Sequence, residues 1–300
     1  MGHYLCKQKQ NMKSNAGKTY LSLKIADKTN TIDGKVWELD NDIQNFEEGD
    51  YIKIDAIVIE YRDNLQLKIM KIRKSVEGEY EPSDYIPCTD KNILEMYAEL
   101  CDIIDTILNP HLHQLLTELI VNNPEISAPL KDHSAAKTMH HSYSGGLLEH
   151  TLSVVQICDF LGGKYKYVNR DLLLASAILH DIGKVYELLP FPVNDYSDIG
   201  KLLGHSYICC EMINKIVPNI EGFPEELRML LTHCVLSHHG EYEYGAPKRP
   251  KIIEAFILHC ADDADAKIKA FESALSVPNT QGDWIGYDKC LNRYLRKTNV

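Results

Sequence analysis

LLLASAILHDIGK, residues 172–184, is the stretch on which the reading of this chain turns. An imidazole and a carboxylate, His180-Asp181, stand side by side at the end of an otherwise apolar, helix-like run. Polar groups in such a place are costly unless paired or coordinated, and two together point to a metal ion. Neighbouring helical residues project about 100° apart, so the pair can reach two adjacent ions while the carboxylate bridges them. The simpler alternative is a histidine favoured by the helix dipole, with the aspartate as a cap. Gly183 suits a helix end under either account.

Further donors flank the pair at intervals of about one helix and one loop: His150 before it, then His205, His238-His239 and Asp262. Nine of the thirteen histidines lie between His140 and His259. His150 and His205 are each ambiguous taken singly, one early in an amphipathic helix and one at a helix start. Asp262 and Asp265 share a helical face. Asp262, at the apolar end of Ile257-Leu258-His259-Cys260-Ala261, is the better ligand, whereas Asp263 reads as solvated.

Composition bounds the rest. Three hundred residues can bury a sizeable core in one or two domains. No apolar run approaches the roughly 20 residues needed to span a bilayer, so no membrane partner is expected. The N-terminus carries neither a signal-peptide core nor an Arg-rich presequence. Nine cysteines, odd in number and without a Cys-x-x-Cys pair, read as reduced residues of a cytoplasmic protein. The net charge of −11 argues against a nucleic-acid partner, but its distribution softens that. Residues 1–80 are neutral, with 13 basic and 13 acidic side chains, and residues 1–30 hold six lysines against one acid. A locally basic strand region can attract phosphates on an acidic molecule.

Residues 1–80 read as strands. Tyr20–Ile25 alternates, Asp27-Lys28-Thr29-Asn30 turns, and Ile32–Leu39, Tyr51–Ile59 and Leu65–Met70 follow, the last after a connection at Asp63-Asn64. Short strands with turn signals suggest a small closed or sandwich-like sheet. Residues 81–125 read as a linker and helical connector, with Asp90 as a plausible N-cap. Helical stretches are then expected at 147–161, 171–182, 204–217, 224–238, 251–273 and 283–296.

GKTYLSLKIADKTNTIDGKVWEL, EEGDYIKIDAIV and NLQLKIMKI resemble the nucleic-acid-binding OB-fold, over about 60 residues. The order His150, His180-Asp181, His205, His238, Asp262, with GHSYICCEMI, LSHHG and HCADDADAK, resembles the two-metal form of the HD-domain phosphohydrolases over roughly residues 130–275. The Gly-Tyr-Pro element of the cyclic-dinucleotide branch is missing, and Glu241–Pro247 stands in its place. The resemblance implies one metal held by His150, His180, Asp181 and Asp262. A second would share Asp181 and use His205 and His238, with His239 as a further candidate. Together the ions would activate a hydroxide against phosphorus. Mn²⁺ is the leading choice, and Co²⁺, Fe²⁺ or Ni²⁺ also suit these donors.

Asp181 and Lys184 are the catalytic candidates. Lys184 could neutralise a phosphate oxygen or simply face solvent. His141 and Tyr143, in HHSYSGG, are candidates for the substrate side, where the glycines permit close backbone approach. Lys248, with Arg249 and Lys251, could guide a polyanion or be an ordinary basic loop. Tyr20, Trp37, Tyr51 and Tyr61 could stack bases or fill the barrel core.

Together, an OB-like barrel and an all-α HD domain, at 1–80 and 126–300, resemble the YhaM-type 3′-to-5′ exoribonucleases over nearly the whole chain. That implies release of nucleoside monophosphates from the 3′ end of single-stranded RNA, with single-stranded DNA as a further substrate, and leaves a homo-oligomer open. Two rivals stand beside it. One is an HD nucleotide or cyclic-nucleotide phosphohydrolase whose OB-like part is an interaction module. The other is a nucleic-acid-binding protein with a relic metal site.

Overall fold

The computed structural model describes residues 1–14, 17–39, 43, 45–61, 64–137, 141–276, 282–288 and 291–298. The chain divides into two compact units, one comprising Met1–Cys88 with Pro190–Asn194, the other Thr89–Leu189 with Asp195–Val300.

In the first unit, β1 (Gly2–Lys13), β2 (Thr19–Ala26), β3 (Thr31–Val36), β4 (Tyr51–Tyr61) and β5 (Asn64–Lys74) close into a barrel in the order β1-β2-β3-β5-β4. β3 runs parallel to β5, with Asp33 opposite Gln66, and the other pairings are antiparallel. β1 completes the barrel by pairing Gly2–Leu5 with β4 and its remainder with β2. A bulge between Cys6 and Gln8 re-aims the strand between its two neighbours.

Leu21, Leu23 and Ile25 point inward from β2 at period two and meet Val36, Ile52, Ile54, Leu67, Ile69 and Ile72. Each such side chain contributes about 1.5–3 kcal/mol when fully buried. A one-residue slip of β2 would turn Ser22 and Lys24 into that core, which is what pins the register. The expected turn after β2 is held by Asp27, whose carboxylate accepts from the backbone N–H of Thr29 and Asn30. Of the expected Asp63-Asn64 connection, Asp63 lies outside the described residues and Asn64 opens β5.

The second unit is built from α1 (Ile93–Asp105), α2 (Pro110–Leu116, continued by a π turn at Thr117–Val121), α3 (Pro124–Asp132), α4 (Gly146–Lys164), α5 (Arg170–Leu179), α6 (Lys184–Glu187), α7 (Asp198–Leu203), α8 (His205–Ile216), α9 (Glu225–Ser237) and α10 (Ile253–Ser276). Asn92, not Asp90, caps α1, accepting from the N–H groups of Leu94 and Glu95. α5 is buried on every face from Leu172 to Leu179, as befits a helix apolar all round. Its one interior hydroxyl, Ser176, donates to the Leu172 carbonyl at 2.7 Å.

The C-terminal segment departs from expectation. Where a helix was expected over 283–296, β6 (Trp284–Asp288) and β7 (Arg293–Arg296) form an antiparallel hairpin. Trp284, Tyr287, Leu291 and Tyr294 recur at three- and four-residue spacing and so imitate a helical face. Gly286 (φ 110°) and Asn292 (φ 53°) adopt backbone conformations that a right-handed helix does not allow. Among the described residues, no helix is long and apolar enough to cross a membrane, and no disulfide forms. Cys209 and Cys210 are buried on α8, where burial raises the Cys210 thiol to about 12.

Candidate metal centre

Five helices deliver polar side chains to one buried point of the second unit. His150 is the fifth residue of α4, His180 ends α5 with Asp181 next to it, His205 opens α8, His238-His239 follows α9, and Asp262 lies on α10. His150, His180, Asp181, His205 and His238 are all buried. Gly183 is what lets α8 approach. Its φ of −61° is ordinary, so it is no left-handed cap, but a Cβ there would stand 2.1 Å from the carbonyl oxygen of His205.

Asp181 divides the cluster. Its Oδ1 faces His205 Nε2 at 3.4 Å and His238 Nε2 at 3.9 Å. Its Oδ2 faces Lys184 Nζ at 2.6 Å, His150 Nε2 at 3.4 Å and His180 Nε2 at 3.5 Å. Asp262 joins the second set, 3.2 Å from His150 Nε2 and 4.0 Å from His180 Nε2. His239 joins the first, its ring 4.1 Å from that of His238 and 5.1 Å from that of His205. In each of the groups His150/His180/Asp262 and His205/His238/His239, one donor atom per residue lies within 4.8 Å of the others.

The hydrogen bonds on the far sides of the rings show what this arrangement suits. His180 Nδ1 lies 2.7 Å from the Ala177 carbonyl and His238 Nδ1 lies 2.6 Å from that of Val235. A carbonyl only accepts, so each Nδ1 carries the proton and each Nε2 of the neutral ring presents a lone pair. Those lone pairs point at the carboxylates of Asp181 and Asp262, and the two Nε2 atoms lie 3.4 Å from those of His150 and His205, respectively. Acceptors converging on acceptors repel unless a cation lies among them, so the donor set fits divalent metal ions, with no thiolate in it.

Three of the rings are held neutral, and the carboxylates set the fourth. Burial drives His238 well below its ordinary value and lowers His180 and His239, which keeps them as neutral donors. Burial alone would also depress His150, but Asp181, Asp262 and Asp265 override it and raise that ring well above the usual range. Burial likewise opposes ionisation of Asp181 and Asp262. The Lys184 ammonium and the histidines around Asp181, and the histidines around Asp262, hold both carboxyls well below the usual carboxylate range.

Several supporting residues escaped the sequence reading. Asp265 Oδ2 takes His150 Nδ1 at 2.7 Å and His141 Nε2 at 3.0 Å, and Ser153 donates to its other oxygen. Glu187 faces His205 Nδ1 at 3.0 Å. Glu149 is buried and receives Thr89 at 2.6 Å, Tyr143 at 2.9 Å and Lys269 at 3.1 Å. Burial would raise its carboxyl, but these donors lower it to about 2. The shared face of Asp262 and Asp265 was a signal for Asp265, whereas nothing local marks Glu187 or Glu149.

The other expected site residues divide. Lys184 meets Asp181 directly. His141 and Tyr143, expected on the substrate side, lie beneath the cluster: His141 is buried against Asp265, and the Tyr143 hydroxyl is 2.9 Å from His141 Nδ1. The close approach at Gly146 is to the His141 carbonyl, which a Cβ would meet at 2.1 Å. His140 lies outside the described residues. A recess of about 210 Å³ over the cluster is lined by His150, Asp181, Lys184, His239, His259 and Asp262, with Tyr244 at its edge. Lys248 is exposed on the same loop as Tyr244 and does not line the recess.

On the barrel, Tyr20 and Trp37 stack with ring centroids 4.5 Å apart, outside the apolar core, and Tyr61 is exposed. Tyr51 instead packs against Tyr80 and Tyr85. A groove of about 840 Å³ beside β3 is lined by Lys24, Lys35, Tyr61, Asn64 and Gln66, among others.

The HD domain family model matches residues 147–267, a span that contains every member of the cluster. The chain is also similar to a protein named 3′-5′ exoribonuclease YhaM from Geobacillus sp. (strain WCH70). The two are 34% identical over 261 residues, which is 86% of this chain and 79% of the relative. No solved structure matches.

Proposed function

The chain belongs to the YhaM-type 3′-5′ exoribonucleases, and on that premise we propose that its helical unit hydrolyses the terminal phosphodiester bond of single-stranded RNA, releasing nucleoside monophosphates. Single-stranded DNA is proposed as a second substrate. One observation carries the reading: the two oxygens of Asp181 face two separate sets of imidazole nitrogens, the arrangement of a carboxylate shared between two cations. His150, His180, Asp181 and Asp262 would hold one ion, and Asp181, His205, His238 and His239 the other. Mn²⁺ is proposed, with Co²⁺, Fe²⁺ and Ni²⁺ as alternatives, since imidazole and carboxylate donors without thiolate suit all four. Bound there, they supply water of lowered pKa and offset the charge on phosphate.

The chain's own residues do the rest. Lys184 holds an ammonium, nearly enclosed, at the edge of the recess, where it can meet a phosphate oxygen. Asp265 and Glu187 fix the rings of His150 and His205 by accepting at Nδ1. His141 and Tyr143 act through Asp265 and Glu149. The recess is small and admits a chain end. Tyr20, Trp37 and Lys248 are assigned to the body of the strand, by stacking and by charge.

Domain limits of 1–80 for the RNA-binding barrel, 81–125 for the connector and 126–300 for the hydrolase are proposed with it. A cytoplasmic location accords with the nine cysteines in a chain lacking Cys-x-x-Cys.

The test is a 5′-labelled single-stranded RNA incubated with Mn²⁺, with EDTA as control. A ladder shortening from the 3′ end, lost in EDTA and in Asp181→Asn, supports the reading. Release of inorganic phosphate from mononucleotides, without a ladder, would favour a nucleotide phosphohydrolase.

A further inference from the structure

The C-terminal hairpin presents a surface that the metal centre does not explain. Leu295 is buried, so β7 turns that face toward the helical unit. Tyr294 and Arg296 alternate with Leu295 and therefore share the opposite face. Tyr287 pairs with Tyr294 across the ladder and Trp284 with Arg296, and directly opposed residues project to the same side. One face of a two-stranded ribbon thus carries three aromatic rings and a guanidinium. The rings are 50–68% exposed.

The face is held in place from behind and at its edges. Arg293, opposite Asp288 on the inner side, sets its guanidinium 5.9 Å from the ring of Phe271 on α10. Tyr287 donates to Asn292 across the turn and packs edge-on against Tyr294, with centroids 5.3 Å apart. Arg296 is tied to Asp283 at 2.6 Å yet remains about half exposed. The local charge is inverted against the molecule as a whole. Residues 283–297 hold four Lys and Arg against two Asp, in a chain whose net charge is −11.

We infer that this face is a second binding surface for the single-stranded RNA, taking bases on Trp284, Tyr287 and Tyr294 and phosphates on Arg296. The inference rests on the exoribonuclease reading and extends it to residues outside the metal centre. Rings set in a cationic surround bind any base by its π face, and the nearby cations follow the backbone. A purely apolar protein partner would gain nothing from the charges. Phe271, where the hairpin is anchored, lies nine residues beyond Asp262 on α10, about 13 Å along the helix. A strand whose 3′ end enters the recess can therefore reach the ribbon a few nucleotides upstream.

The experiment uses full-length protein with a fluorescent 20-nucleotide RNA in EDTA, for binding, and the same RNA and a dinucleotide in Mn²⁺, for turnover. Trp284→Ala combined with Tyr294→Ala is expected to weaken binding of the 20-mer about tenfold or more. It should raise its KM to match and leave dinucleotide turnover unchanged. Arg296→Gln should flatten the dependence of binding on salt. As a measurement that needs no variant, 4-thiouridine in the RNA should crosslink to the peptide holding Trp284 and Tyr294. If wild type degrades RNA from the 3′ end while the double variant binds the 20-mer as tightly as wild type, the hairpin inference fails and the exoribonuclease reading stands. If the variants change the oligomeric state but not RNA affinity, the face belongs to a second copy of the chain and the inference is overturned. If wild type neither binds nor degrades RNA, both readings fall.

Discussion

Glu187 meets His205 twice: one carboxylate oxygen accepts from the His205 backbone N–H at 2.9 Å, and both oxygens face its ring Nδ1, at 3.0 and 3.1 Å. The side chain that aims the ring therefore also caps the start of its helix. Glu187→Ala is expected to weaken binding of divalent metal about 10–100-fold. Glu187→Gln, which keeps an acceptor, should lose less. Calorimetric titration with Mn²⁺ measures both, and equal affinities for all three proteins would show that the contact only holds the helix.

Lys184 and the proposed metals compete for the same oxygen of Asp181. Lys184→Met is expected to lower kcat about tenfold or more. It should also hold or raise metal affinity, because a like charge has been removed. A fall in metal affinity with kcat unchanged would make Lys184 a structural partner of Asp181 and nothing more.

Metal binding should also stabilise the fold, since the donors come from five helices and are scattered in the unfolded chain. An ion at a hundred times its Kd adds about 2.7 kcal/mol. In a unit of this size that raises Tm by about 5–10 °C. Thermal melts in Mn²⁺ and in EDTA check this, and coincident melts would argue that the cluster binds no ion.

His133 gives a pH dependence away from the centre. Its ring is buried 3.3 Å from the Val185 carbonyl, and burial lowers its pKa below the ordinary 6.5. The unfolded chain therefore takes up the proton first as pH falls. The stability that the neutral ring contributes is full above about pH 6.5 and is lost progressively below it. Between pH 7.5 and 5.5, wild type should lose more urea resistance than His133→Gln, and parallel losses would refute the assignment.

Trp37→Ala tests the barrel. Removing one half of the Tyr20–Trp37 stack is expected to weaken binding of a 20-nucleotide RNA about tenfold. Turnover of a dinucleotide should be unaffected. If both are unchanged, the stacked pair serves the barrel alone.

The centre was legible in the sequence because its donors are rare residue types placed against apolar runs. His180-Asp181 ends a helix with no polar face, a place where polar groups call for coordination or pairing. Asp265 and Glu187 were harder to find. Their role comes from contacts with His150 and His205, on other helices; Asp265 is marked only by the face it shares with Asp262, and nothing local marks Glu187. The first strand had little alternation to show over residues 4–10, because β1 changes partner and bulges at Cys6. The hairpin at Trp284–Arg296 imitates a helix in sequence. Its aromatics fall at helical spacing, and the turn that decides the matter depends on a left-handed Asn292 that no periodicity reveals.

The burial of α5 has a consequence in time as well as in energy. A helix sheathed on all its faces exchanges its amide protons only when the whole unit opens. His180 and Asp181 are anchored to its end, so the centre should not come apart by local fraying. Amides of Leu173–Leu179 should exchange at the global unfolding rate, and the exposed hairpin orders of magnitude faster. The chemistry would thus be fixed to the slowest-opening part of the molecule, and the proposed strand-binding surface to a part that opens more readily.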